Sequence, residues 1–195
     1  MRGKSAGIVP VLLGLALGAC ASNSAPPAPG HARGGVPDLR GHRVLVLPVQ
    51  LREGIHSGVT ADEEIAYALP SRGERVSWVF PADVEGILSR SPGIEATLYD
   101  LQVGIFLQAE VNRVGDPLYG EIRRLTTLAG ADIALIPIAL TYAEGAYNLT
   151  VTLLSPVTGR VLWFSVIRGE AGPADAPGTL ASVSDALARA LLPLG

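Results

Sequence analysis

The chain has 195 residues, a mean hydropathy of +0.36 and 15 basic against 18 acidic residues, for a net charge of −3. That balance argues against a nucleic-acid partner, which requires a basic face, and the length suits one domain with a sizeable core. A single cysteine excludes an internal disulfide, so stability must come from apolar burial.

In chain order, Arg2 and Lys4 precede the apolar run Ala6–Gly18, which gives way to small residues and Cys20. A charged stretch, an apolar stretch and a small-residue cut site are the parts of a secretory signal. The run is shorter than the roughly 20 residues that span a bilayer. Its ending, Leu17-Gly18-Ala19-Cys20, resembles the bacterial lipoprotein-processing box. That resemblance implies diacylglycerol on the Cys20 sulfur, removal of residues 1–19 and acylation (palmitate) of the new amino terminus. Two or three chains hold a protein stably on a bilayer, where one is marginal. Ala21 in place of an aspartate implies sorting to the outer membrane. Cleavage would remove Arg2 and Lys4, leaving 13 basic residues against 18 acidic ones, a net charge of −5. Residues 20–37, with Ala25-Pro26-Pro27-Ala28-Pro29-Gly30 and Gly34-Gly35, read as a disordered linker with little to bury. In a polyproline-like state it would reach ~50 Å at roughly 3.1 Å per residue.

The folded domain is expected over 43–192. Arg43 to Val49 is a short apolar run typical of a strand covered on both faces. Glu63 to Leu69 suggests one or two helical turns stopped by Pro70, with Gly58 and Gly73 as flanking breakers. Pro81 to Arg90 reads as a helix with Val84, Ile87 and Leu88 on one face, ended by Pro92-Gly93. Residues 94–111 are ambiguous, with β structure favoured around 103–107. The helix over 117–129 has Asp116 as cap, Pro117 at its first position, a stripe of Leu118, Ile122, Leu125 and Ala129, and Gly130 to close it. Asp132 to Leu140 is an apolar strand in which Pro137 demands a bulge or an edge. Tyr147, Leu149, Val151 and Leu153 alternate with Asn148, Thr150 and Thr152, the pattern of a half-buried antiparallel strand. The turn Ser155–Gly159 leads back along 160–168 to complete a hairpin. A helix over 180–192 carries Leu180, Val183, Leu187 and Leu191 on one side and stops at Pro193. The expected fold is α/β (α+β): one compact domain, a mixed β-sheet with a C-terminal antiparallel hairpin, and about three packed helices.

The opening strand RVLVLPV, the segment Leu128-Ala129-Gly130-Ala131-Asp132 before a strand, and Thr158-Gly159-Arg160-Val161-Leu162-Trp163 after the hairpin turn resemble the periplasmic lipoprotein domains of the curli-secretion (CsgG-like) and TolB amino-terminal type. The resemblance implies a small α/β domain that binds other envelope components and catalyses nothing. The sequence carries neither the long alternating strands of a curli-type pore nor propeller repeats.

Candidate chemistry is sparse. His31, His42 and His56 show no metal-ligand spacing, so neither a metal nor another cofactor is expected. His56 near Asp62, Glu63 and Glu64 is the one arrangement that could serve an envelope hydrolase as base and orienting carboxylates. First-turn helix charges are the blander account of the three acids. Trp78, Tyr142, Tyr147 and Trp163 are either core aromatics or, where one faces water, anchors for a partner. The sequence therefore points to a lipid-anchored, periplasm-facing module of the outer membrane. Its expected partners are the bilayer, through acylated Cys20, and an envelope protein or the peptidoglycan machinery. An envelope hydrolase and a subunit of an oligomeric secretion complex are the alternatives.

Overall fold

A computed structural model describes residues 35–53, 60–73, 75–91 and 93–193. The signal segment, Cys20, His31, His56, Gly58 and residues 20–34 of the linker lie outside it. The mixed α/β domain expected from the sequence is observed, with six strands and five helices among the described residues.

Strand β1 (Arg43–Val46) is internal to the sheet, with β3 (Ser77–Val79) parallel on one side and β4 (Ile133–Ala143) parallel on the other. Apolar residues 44–49 are buried, as a strand covered on both faces requires. The strand is nonetheless shorter than expected, because Pro48 has no N–H to give to a ladder. The chain still follows β4 past that point: Leu47 N–H donates to the Leu135 carbonyl (2.9 Å) and Gln50 N–H to that of Pro137 (3.0 Å). It then forms β2 (Leu51–Glu53), parallel to the distal part of β4. Strands β5 (Ala146–Leu154) and β6 (Val161–Arg168) complete the sheet as an antiparallel meander, giving the order β3-β1-β4-β5-β6. The bulge demanded by Pro137 is present, as a register shift between Pro137 and Ala139.

Helices cover both faces of the sheet. Helix α1 (Thr60–Arg72) and helix α5 (Pro177–Leu191) pack on the face formed by Val44, Val46, Leu135, Val151, Leu153 and Trp163. The other face, with Leu45, Leu47, Ile136 and Phe164, lies under α2 (Pro81–Ser89), α3 (Ile105–Gln108) and α4 (Leu118–Ala129). This three-layer arrangement has five helices where about three were expected.

The differences have local causes. Pro70 does not stop α1, which runs on to Arg72. It falls in the last turn, where its missing N–H costs one bond, and Gly73 N–H closes the helix on the carbonyls of Leu69 (3.1 Å) and Pro70 (3.3 Å). Residues 103–107 form no strand. Phe106, fully buried, stacks on Phe164 with ring centroids 6.4 Å apart, so the segment folds as the single turn α3 beneath the sheet. Strand β5 is half-buried only in its first part. Thr152 is buried, and its hydroxyl donates to the Trp163 carbonyl at 2.8 Å. Helix α5 starts at Pro177, three residues before the expected start.

Helix α4 begins one residue later than expected: Pro117, not Asp116, occupies the cap position and Leu118 the first helical one, although Asp116 Oδ1 still accepts from the Gly120 N–H (3.0 Å) in the first turn. Other local expectations are met. Gly130 closes that helix at φ 62°, while Ala131 N–H reaches back to the Thr126 carbonyl at 2.8 Å. The turn before β6 needs glycine at position 159. Its φ is +70°, and a Cβ there would sit 2.8 Å from the Val114 carbonyl oxygen.

Candidate functional site

The sheet has a topological switch point. After β1 and the short β2 the chain passes to α1 on one face, whereas after β3, adjacent to β1, it turns to α2 on the other. Connections that diverge this way leave a crevice beyond the carboxyl ends of the two strands, where α/β sheets place their ligands. This protein has such a groove there. Its volume is about 420 Å³ and its walls are Arg52, Asp62, Glu63, Ala66, Phe80, Pro81, Ala82, Glu85 and Tyr99, within the range of ligand sites.

Each wall has an identifiable support. Asp62, in the first turn of α1, accepts from the Val49 N–H (2.8 Å) through Oδ1 and from Arg52 Nη2 (2.6 Å) through Oδ2. Helix α2 is entered through Phe80, whose N–H donates to Asp83 Oδ2 (2.9 Å), and through Pro81 at the first position. Tyr99 donates its hydroxyl to Glu85 Oε1 (2.9 Å) and so ties the 98–101 loop to α2. The same loop is clamped from below by Gln50, a buried side chain that donates to the carbonyls of Pro48 (2.8 Å) and Leu98 (2.9 Å) and accepts from the Leu101 N–H (3.0 Å).

The electrostatics follow from this geometry. Burial pushes the Asp62 carboxyl above its ordinary value, and this outweighs the opposing Val49 N–H and Arg52 guanidinium. The hydrogen bond to Glu85 raises the Tyr99 phenol, and partial burial adds to it. Among the described lining residues three carboxylates face one guanidinium.

The three consecutive acids do not converge. Successive helical residues point about 100° apart, and only Asp62 and Glu63 line the groove. Asp62 is held by Arg52 and Val49, and His56 lies outside the described residues. His42 is exposed, 3.8 Å from Asp132 at the start of β4. Among the described residues no group of three His, Cys, Asp or Glu is placed to hold a metal, and no helix is long and apolar enough to cross a membrane.

The aromatics singled out in the sequence are distributed otherwise. Trp163 and Tyr147 are core residues at 7% and 5% exposure, which removes them as surface anchors. Tyr147 and Tyr142 meet edge-on at 5.1 Å and donate their hydroxyls to the carbonyls of Ala174 and Gly172 (both 2.7 Å), pinning the segment that leads to α5. Tyr142 is partly buried in this role. Trp78, half-buried on the edge strand β3, lies beside Phe80 and has an indole N–H with no acceptor among the described residues. The aromatics that do face water, Tyr67 (79% exposed) and Tyr99 (45%), were not marked in the sequence. Tyr67 sits one turn beyond Glu63 on α1, on the same helical stripe. Neither is part of a motif: Tyr67 is exposed because of the face of α1 on which it falls, and Tyr99 because of how its loop is placed.

No family model matches the chain, and no curated protein matches it. Among solved structures it is similar to the LpoB C-terminal domain from Escherichia coli, at 17% identity and a TM-score of 0.47 over 68% of this chain and 84% of that one. It is also similar to lipoprotein GNA1162 from Neisseria meningitidis, at 15% identity and a TM-score of 0.44 over 71% and 87%. A third likeness is to TolB from Acinetobacter baumannii, at 14% identity and a TM-score of 0.38 over 81% of this chain and 30% of that one. Likenesses of this size assign no function to the groove.

Proposed function

We propose that the protein is a lipid-anchored lipoprotein of the outer membrane whose periplasmic α/β body is a non-enzymatic interaction module, with an envelope protein, the peptidoglycan machinery included, as partner. The observation that carries this reading is Leu17-Gly18-Ala19-Cys20 behind a basic and then apolar leader. The linker supports it, since a Pro- and Gly-rich tether of that length lets the body leave the bilayer without fixing its orientation. So does the resemblance at 128–132 and 158–163 to periplasmic lipoprotein domains. The geometry also supports it: in the groove Asp62 is tied up by the Val49 N–H and Arg52, and no histidine among the described lining residues stands beside the acids, which suits recognition better than proton transfer.

The test is replacement of the anchor. Cys20→Ala is expected to abolish incorporation of labelled palmitate and to move the protein from the membrane to the soluble periplasmic fraction, with unchanged thermal unfolding of the body. Retention of the variant in the membrane fraction would overturn the reading.

A further inference from the structure

We propose that the groove at the switch point receives an arginine or lysine side chain from an extended segment of a partner protein. The inference rests on the reading of the body as an interaction module and names what its groove recognises. Asp62, Glu63 and Glu85 outnumber Arg52 among the described lining residues. Even if each of the two helix N-termini contributes roughly half a positive charge, the site keeps a net charge of about −1. An anion, the usual guest at such helix ends, is therefore disfavoured, because the first turns of α1 and α2 already carry their own acids.

Geometry favours a cation with an apolar stem. Phe80, Pro81, Ala66 and Ala82 offer apolar wall, and the exposed Tyr99 ring lies beside the carboxylates, where a guanidinium can stack on its face. Glu85 uses one oxygen for Tyr99, leaving the other for a donor. Asp62 is under-compensated by Arg52, since burial prevails over the ion pair, and a second cation would relieve it. Tyr67, exposed one helical turn beyond Glu63, provides aromatic surface outside the groove itself. A lone small cation would leave that surface uncovered, whereas a peptide segment would cover it.

The test is a titration of the full-length protein in neutral detergent micelles with tetra-arginine amide, read by backbone amide shifts. Spermidine and tetra-glutamate serve as comparison ligands. Shifts are expected at 60–66, 80–85 and 99 with the arginine peptide, and none with tetra-glutamate. Removal of two exposed charges in Glu63→Gln/Glu85→Gln, where the amide oxygen at 85 can still accept from the Tyr99 hydroxyl, is expected to weaken binding about fivefold to tenfold. Arg52→Gln is expected to tighten it, an outcome that general loosening of the fold would not give. The proposal is overturned if the shifts lie elsewhere, if the double variant binds as well as the parent, or if spermidine binds as tightly as the peptide, which would mark a site for free polyamines. None of these readings depends on the anchor, so they stand or fall separately from the Cys20→Ala fractionation.

Discussion

The two halves of the sheet are built on different terms. The antiparallel half, β5 and β6, consists of strands of nine and eight residues joined by a tight turn. The parallel half, around β1, β2 and β3, consists of strands of four, three and three residues separated by helices and loops. The long hairpin holds itself in register through its own ladder and its buried alternate residues. The short strands are placed only by what lies around them. That difference locates the site: the groove lies where the parallel half diverges, beyond the ends of β1 and β3, while the hairpin turn lies at the opposite end of the sheet, where Leu154 pairs with Ala134 near the start of β4. The hairpin is scaffold, and the loosely written half carries the recognition surface.

Four substitutions would break or sharpen this contrast. The largest effect is expected from Trp163→Ala, which empties a buried position of the hairpin. It should cost about 3–5 kcal/mol in denaturant unfolding while leaving the groove's ligand affinity unchanged in the folded fraction. Gln50→Ala acts on the other half. It orphans the Leu101 N–H and two buried carbonyls, for an expected loss of about 2–4 kcal/mol, and amide exchange should rise at 98–101 and not in β5. If exchange rose equally across the hairpin, the two halves would not be separable units. Gly159→Ala forces a side chain into left-handed backbone against the Val114 carbonyl. It should cost about 1–3 kcal/mol with no change at the groove.

The smallest effect is expected from Asp62→Asn, and its sign is set by titration. The Asp62 carboxyl is pushed above the ordinary 3.8 by burial, so the folded state holds its proton more tightly than the unfolded chain. Its contribution is therefore most favourable in acid and is lost as pH rises from about 3.8 through the folded value. An asparagine side chain does not ionise, so the variant's stability should decline less over that window. A steeper decline in the variant would contradict the burial argument.

Residues that announce a local rule were legible in the sequence. Asp116, Pro117 and Gly130 bracket α4, Pro137 brings its bulge, and residues 147–168 alternate into the hairpin. Residues whose meaning is tertiary were not. Phe106 lies in a segment that reads as β by propensity, but burial against Phe164 makes it a helical turn. Gln50 looks like an ordinary polar residue until the 98–101 loop closes over it. Of the groove, the sequence marked Asp62 and Glu63 for a different reason, as candidate catalytic acids. Arg52, Glu85 and Tyr99 are separated from them by 10 or more positions and converge only through the switch in topology.

The central claim is that recognition belongs to the groove end of the sheet. It is tested most directly by photo-crosslinking in living cells, with p-benzoylphenylalanine at Ala82 in the groove wall or at Val157 in the hairpin turn, which is 80% exposed. A crosslink from Ala82 to an arginine- or lysine-containing segment of one envelope protein, lost in Glu63→Gln/Glu85→Gln and absent from Val157, is the expected result. A crosslink to the same protein from Val157 and none from Ala82 would contradict the account.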